Sequence, residues 1–284
     1  MILPLLLACH QTEEYILAIP KQPNTNNVDT ANPNWNENID EENIDEENNT
    51  EENNEESRDE ELENEDVVGE IIIPDDPYCP TGMVSVRDDL DEPQYCIDIF
   101  EISLSAGILG NADQGMDWPD DSTTAYALSE ANVIPATLFS WYQAVALCQN
   151  AGKYLCSTQE WKDACDGDVL SNGQNFPYGN TWVDSYCAAR LGESEQVYDE
   201  LQPTGTHLEC RSPFGTYDQI GNAWEWTDSL MSNEDGSPIT HKMGGSYYSG
   251  GGNLACNNSP VTDHPPDFSG TIGTRCCTTP TYPE

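Results

Sequence analysis

The sequence predicts an α+β domain with two short helices, many short strands, high loop content and several disulfides, carried behind a disordered acidic leader. Three observations predict it. The 284-residue chain has two compositions: up to Asp76 it holds 23 acidic and 2 basic residues with one Trp and one Cys, whereas from Pro77 onward 29 acidic and 7 basic residues accompany six tryptophans and ten cysteines. Those ten cysteines are even in number and contain no C-x-x-C pair, which points to disulfides in an oxidising compartment and away from a zinc ribbon. Two helix signals stand close together, while elsewhere Gly, Pro, Asn and Asp interrupt the chain every few residues.

Residues 1–9, MILPLLLAC, are apolar and close on a cysteine, and polar residues follow at once. The Leu6-Leu7-Ala8-Cys9 segment resembles a bacterial lipobox, in which Cys9 is lipidated. It departs from a secretory signal in having no Lys or Arg ahead of a minimal apolar core. Residues 10–73 form an acidic, Asn-rich tract with a short duplication, Glu37 to Glu42 and Glu42 to Glu47. Low hydrophobicity with high charge cannot bury enough apolar surface to offset ordering entropy, so this tract is expected to be a disordered tether. Residues 74–284 are expected to form the folded unit.

In that unit, Ser140 caps the first helix with Gln143 three residues on. Trp141, Ala144, Val145 and Cys148 share its buried face, and Gly152 stops it. Ser157 and Glu160 make a second capping box, with Trp161, Ala164 and Cys165 on one face and Gly167 at the end.

The formal net charge is −43. Nucleic acid and anionic headgroups are therefore poor partners, because binding phosphates requires a basic surface. No apolar run approaches the roughly 18–20 residues of a membrane-spanning helix, so membrane contact is expected through the lipid anchor only. His207, His241 and His264 are scattered and suggest no His-rich metal set. The glycines at 244, 245 and 250–252 lack the lysine of a phosphate loop.

The stretches CPTGMVSV, YCIDIFEIS, SWYQAVALCQNAGKYLCSTQEWKDAC, FPYGN, PFGTYDQIGNAWEWTDS, MGGSYY and GTRCC resemble, in order and approximate spacing, the formylglycine-generating enzyme or sulfatase-modifying-factor family. The resemblance covers roughly Pro74 to Cys277 and implies that family's irregular fold, related to C-type lectins. It further implies an oxidase that converts a sulfatase cysteine to formylglycine with copper(I) held between two thiolates after GGSY. Carried onto this chain, the two thiolate positions fall at Ser249 and Leu254, and neither is a cysteine. Copper(I) prefers soft sulfur ligands, so copper is not expected.

Family bridges carried over pair Cys148 with Cys276 and Cys165 with Cys256. The remaining cysteines suggest Cys79 with Cys96, Cys187 with Cys210, and Cys156 with Cys277, although spacing alone leaves the connectivity open. A reduced Cys276–Cys277 pair would instead offer vicinal thiols for copper or for disulfide exchange. The resemblance also implies a calcium site at Asp218, Gly221, Ala223 and Glu225, the middle two through backbone carbonyls, since calcium takes hard oxygen ligands. A second family calcium site is not expected, because Ala188 stands where an Asn belongs.

The expectation is an exported lipoprotein of the bacterial cell envelope, at the outer membrane or cell surface. Its domain would be non-catalytic and would bind a peptide or glycan, with an envelope protein or glycan as partner. The competing expectation is a formylglycine-generating oxidase.

Overall fold

A computed structural model describes residues 70–105, 125–168, 173–189, 198–250 and 254–283. Cys9 and the acidic tract up to residue 69 lie outside them. Strand β1 (Met83–Arg87) turns back into β2 (Pro93–Asp98) through a loop organised by Asp88, whose carboxylate accepts the N–H groups of Leu90 and Glu92. Asp91 takes the left-handed conformation the turn requires, φ 63°, which short polar side chains tolerate. A small hairpin of β3 (Ile102–Leu104) and β4 (Ala127–Ser129) follows.

Helix α1 (Trp141–Asn150) and helix α2 (Thr158–Asp166) flank the two-residue strand β5 (Tyr154–Leu155). Both helices start in reciprocal capping boxes, Ser140 with Gln143 and Ser157 with Glu160. Gly167 closes α2 in the left-handed region, its N–H donating to Asp163 O. The buried face of α1 centres on Trp141, Ala144, Leu147 and Cys148, while Val145 packs at the edge. The sequence reading placed Val145 on that face and passed over Leu147. The face is set by which residues meet Trp226, Ile272 and Cys276 in the same cluster, and that is a tertiary matter.

Strands β6 (Trp224–Ser232), β7 (Pro238–Met243), β8 (Val261–Asp263), β9 (Ile272–Thr274) and β10 (Cys276–Thr278) complete the unit. They build a sheet ordered β8-β7-β6-β9, in which only β6 and β9 run parallel. Strand β10 leaves that sheet and joins a second one, ordered β1-β2-β10-β5.

Because successive side chains on a strand point to opposite faces, the adjacent Cys276 and Cys277 enter different clusters. Cys276 bonds Cys148 on α1, and Cys277 bonds Cys156 just ahead of α2. Cys165 pairs with Cys256, Cys187 with Cys210, and Cys79 with Cys96. Each half of the vicinal pair thus has its own distant partner, and the structure brings no thiol pair together at that point. Among the described residues no helix is long and apolar enough to cross a membrane.

The Cys148–Cys276 bridge spans a separation of 128 residues, but the neighbouring Cys156–Cys277 bridge already closes almost all of that loop, so loss of the former frees only the short path through residues 148–156. Replacing Cys148 and Cys276 with alanine is expected to lower unfolding free energy by roughly 3 kcal/mol on the loop-entropy account for that short loop. Urea denaturation measures it, and an unchanged midpoint would mean that burial in the α1 cluster, not the cross-link, holds this region.

Candidate functional site

The positions inherited from the thiolate pair are built around Gly245. Gly244 and Gly245 both adopt positive φ, 88° and 82°, which lets the chain leave β7 in a tight reversal open to glycine. A Cβ on Gly244 would lie 2.4 Å from the Gln219 carbonyl oxygen. On Gly245 it would lie 2.7 Å from Leu254 Cδ2 and 3.1 Å from Ser249 Cβ, so Ser249 and Leu254 converge on one glycine. Residues 251–253 between them lie outside the described residues.

Ser249 Oγ accepts the Ser246 N–H at 3.0 Å, and the two hydroxyls are 3.3 Å apart. Leu254 is buried among Trp161, Cys165 and Cys256. A loop hydroxyl and an isobutyl group supply no soft ligand, and the nearby Cys256 is bonded to Cys165. The donor set does not fit copper(I).

The four positions expected for calcium lie beside a buried ionic cluster. Arg275, fully buried, donates from Nε to Glu225 Oε2 at 2.7 Å and from Nη2 to Glu225 Oε1 at 2.7 Å. It also donates to the carbonyls of Asp98, Ile99 and Tyr217. Trp161 Nε1 adds a bond to Glu225 Oε2 at 2.6 Å. Glu101, fully buried as well, accepts the Ala223 N–H and the Asn222 side-chain amide. Asp218 accepts the Gly205 N–H through Oδ2 at 2.6 Å, while its Oδ1 is buried without a protein partner.

Three buried carboxylates therefore face one guanidinium. Burial first, then the charges of Asp218 and Glu225, push the Glu101 carboxyl well above its ordinary range. Burial also drives the Asp218 carboxyl up to about 7, with Glu225 adding to the rise.

The surplus negative charge and the orphaned Asp218 Oδ1 fit a hard divalent cation. Asp218 and the carbonyls of Gly221 and Ala223 would hold it. Glu225 departs from the expectation, because both its oxygens already accept bonds from Arg275 and one of them a further bond from Trp161. Gly221 is required by crowding: at φ 85°, a Cβ would sit 2.2 Å from Ala188 O. That carbonyl accepts the Asn222 N–H at 2.7 Å.

Sequence reasoning assigned no role to Glu101 or Arg275, although both stand in quoted motifs. The available signal was a charge set among apolar residues beside a strand end, Glu101 just ahead of β3 and Arg275 between β9 and β10. It also treated His264 as isolated, yet His264, Asp263 and Asp267 bring one ligand atom each within 4.8 Å of one another. Asp263 there is ion-paired to Lys242 and Asp267 to His264. The trio is accounted for by ion pairs and is given no metal.

A family model described as the sulfatase-modifying factor enzyme 1-like domain matches residues 26–280. The mouse (Mus musculus) protein named inactive C-alpha-formylglycine-generating enzyme 2 is 25% identical over 177 residues, covering 59% of this chain and 56% of that protein. The bovine (Bos taurus) formylglycine-generating enzyme is 30% identical over 140 residues, covering 40% of this chain and 35% of that protein. The chain spans about half the length of the curated relatives it matches. Among solved structures, CarF aligns over 71% of this chain and 94% of its own at 17% identity, with a TM-score of 0.47.

Glu225→Gln removes the one carboxylate hydrogen-bonded to Arg275 and leaves the guanidinium facing only the more distant Glu101 and Asp218; it is expected to cost about 3 kcal/mol of stability, read by urea denaturation. Asp218→Asn is expected to act oppositely in chelator. With a folded value near 7 against 3.8 for the free side chain, the folded state holds an extra proton between those values. Wild-type stability therefore falls as pH rises from about 4 to about 7, and the penalty is complete above that window. The asparagine variant should melt with wild type near pH 4 and above it at pH 8; parallel melting curves across that range would refute the assignment.

Proposed function

The chain belongs to the sulfatase-modifying factor enzyme 1-like family, and from that membership we propose that it is a non-catalytic member acting as a binding module for a peptide or glycan. The observation that carries the proposal is the donor set around Gly245: Ser249 and Leu254 stand where a pair of thiolates would have to converge. None of the ten cysteines from Cys79 to Cys277 is left to replace them, because each is in a bridge. The relatives include proteins named formylglycine-generating enzyme and proteins named inactive C-alpha-formylglycine-generating enzyme 2. Similarity alone therefore supports both readings, and the chemistry of the two positions favours the second.

The module works outside the cytoplasm of a bacterial cell, anchored in the envelope through lipidated Cys9 and held away from the membrane by the acidic tract. Five disulfides are compatible with an oxidising compartment. Calcium at Asp218, Gly221 and Ala223 has a structural role: it offsets the buried carboxylates and fixes the loop leading into β6. The competing reading, an oxidase of the formylglycine-generating type, draws on the relatives named formylglycine-generating enzyme.

Three measurements separate these readings. Wild type should neither bind copper(I) in competition with a chelating dye nor convert a Cys-x-Pro-x-Arg peptide, and turnover of that peptide would sink the non-catalytic proposal. Ser249→Cys with Leu254→Cys should gain copper(I) binding, because both side chains already flank Gly245. Calcium should raise the melting temperature of the chelator-treated wild type and leave Asp218→Asn nearly unmoved; equal responses would remove calcium from this loop.

A further inference from the structure

A cavity of about 420 Å³ opens on the β8-β7-β6-β9 sheet, and none of the residues assigned to the family's chemistry above lines it. Trp224, Lys242, Asp263, Asp267 and Phe268 line it, together with the hydroxyl-bearing Ser269 and Thr271. We propose that it binds a neutral saccharide, one or two sugar rings in size. This rests on the binding-module reading and names its ligand class.

The argument runs through charge first. Lys242 Nζ donates to Asp263 Oδ2 and lies 5.5 Å from the Trp224 ring centroid and 6.0 Å from that of Trp226. The ammonium is thus fixed between two indoles and a carboxylate. A cationic ligand seeking the Trp224 ring meets this ammonium already in place. An anionic ligand meets Asp263, Asp267 and the field of a chain with net charge −43. What remains matched is an uncharged molecule that accepts from Lys242, Ser269 and Thr271 and donates to Asp263 and Asp267.

Shape and polarity agree. A pyranose offers hydroxyls around its edge and a C–H face that packs on aromatic rings. Phe268 supplies such a surface: it is 40% exposed and has no place in the core clusters. Small-ligand cavities run from roughly 300 to 1,000 Å³ and combine apolar walls with a few convergent polar groups. Asp267 stands at the rim, its carboxylate 3.4 Å from His264 Nδ1.

The test uses the purified full chain on an array of neutral, sialylated and sulfated oligosaccharides, followed by calorimetric titration with free glucose, galactose, mannose and N-acetylglucosamine. Phe268→Ala and Asp267→Asn, both at exposed positions, are run beside it, with melting temperature as the folding control. Neutral glycans should bind, and each variant should weaken them about tenfold or more at unchanged melting temperature, as expected when a central aromatic or a directed polar contact is lost. Neutral binding that both variants keep at full strength overturns the cavity assignment, and preference for sialylated or sulfated glycans overturns the ligand class. Capture of peptides with no glycan binding overturns this inference and leaves the binding-module reading standing. Turnover of the Cys-x-Pro-x-Arg peptide would strike that reading instead.

Discussion

Arg275 is the interaction on which the rest of the structure depends. It is wholly buried, yet it donates to the end of β2, to the loop at Tyr217 and to Glu225 on β6. One side chain thereby joins the two main sheets, because β10 begins at the next residue and lies in the other sheet. Burying a charge is costly unless geometry and hydrogen bonding are both nearly complete, and here the guanidinium meets carboxylate or carbonyl oxygens from Nε, Nη1 and Nη2. The same demand pulls Glu225 inward, and Trp161 Nε1 follows it from α2. The acidic surplus around Asp218 and Glu101 arises from this packing, and it is the charge that the proposed calcium would offset.

The cross-links build on that frame. Strand alternation sends Cys276 and Cys277 to opposite faces of β10, so a two-residue sequence staples α1 and the entry to α2 from one point. A loop-rich unit whose described helices have ten and nine residues gains much of its order from such constraints, since neither helix would persist alone. The arrangement consumes all ten cysteines of the folded part. For the proposed function this matters more than any added feature: an oxidised scaffold with a hydroxyl and an isobutyl group at the inherited positions can present a surface, while its redox ligands are gone.

Much of this was legible beforehand. The capping boxes at Ser140 and Ser157 and the stop at Gly167 are local chemistry, fixed by backbone donors that only nearby side chains can reach. Substitution of the thiolate positions was visible once the GGSY motif located Ser249 and Leu254. The pairing of ten cysteines was not readable from spacing, because bonds across 91 to 128 residues leave no local trace; resemblance supplied two bridges, and the remaining cysteines suggested the other three.

The sequence by itself determined the two-part composition, the two capped helices, the family motifs and the absence of thiols at two positions, since each depends on residue identity or on contacts within a few residues. Only the tertiary structure decided that Arg275 holds Glu225, that Leu147 replaces Val145 at the centre of α1, and that Asp218 keeps one oxygen unpartnered. It alone gathered Trp224, Lys242, Asp263 and Phe268 around one cavity. The physical reason is common to all of these. Desolvation and charge pairing act through space between segments far apart in the chain, and a sequence carries no measure of which distant groups will share the same few ångströms.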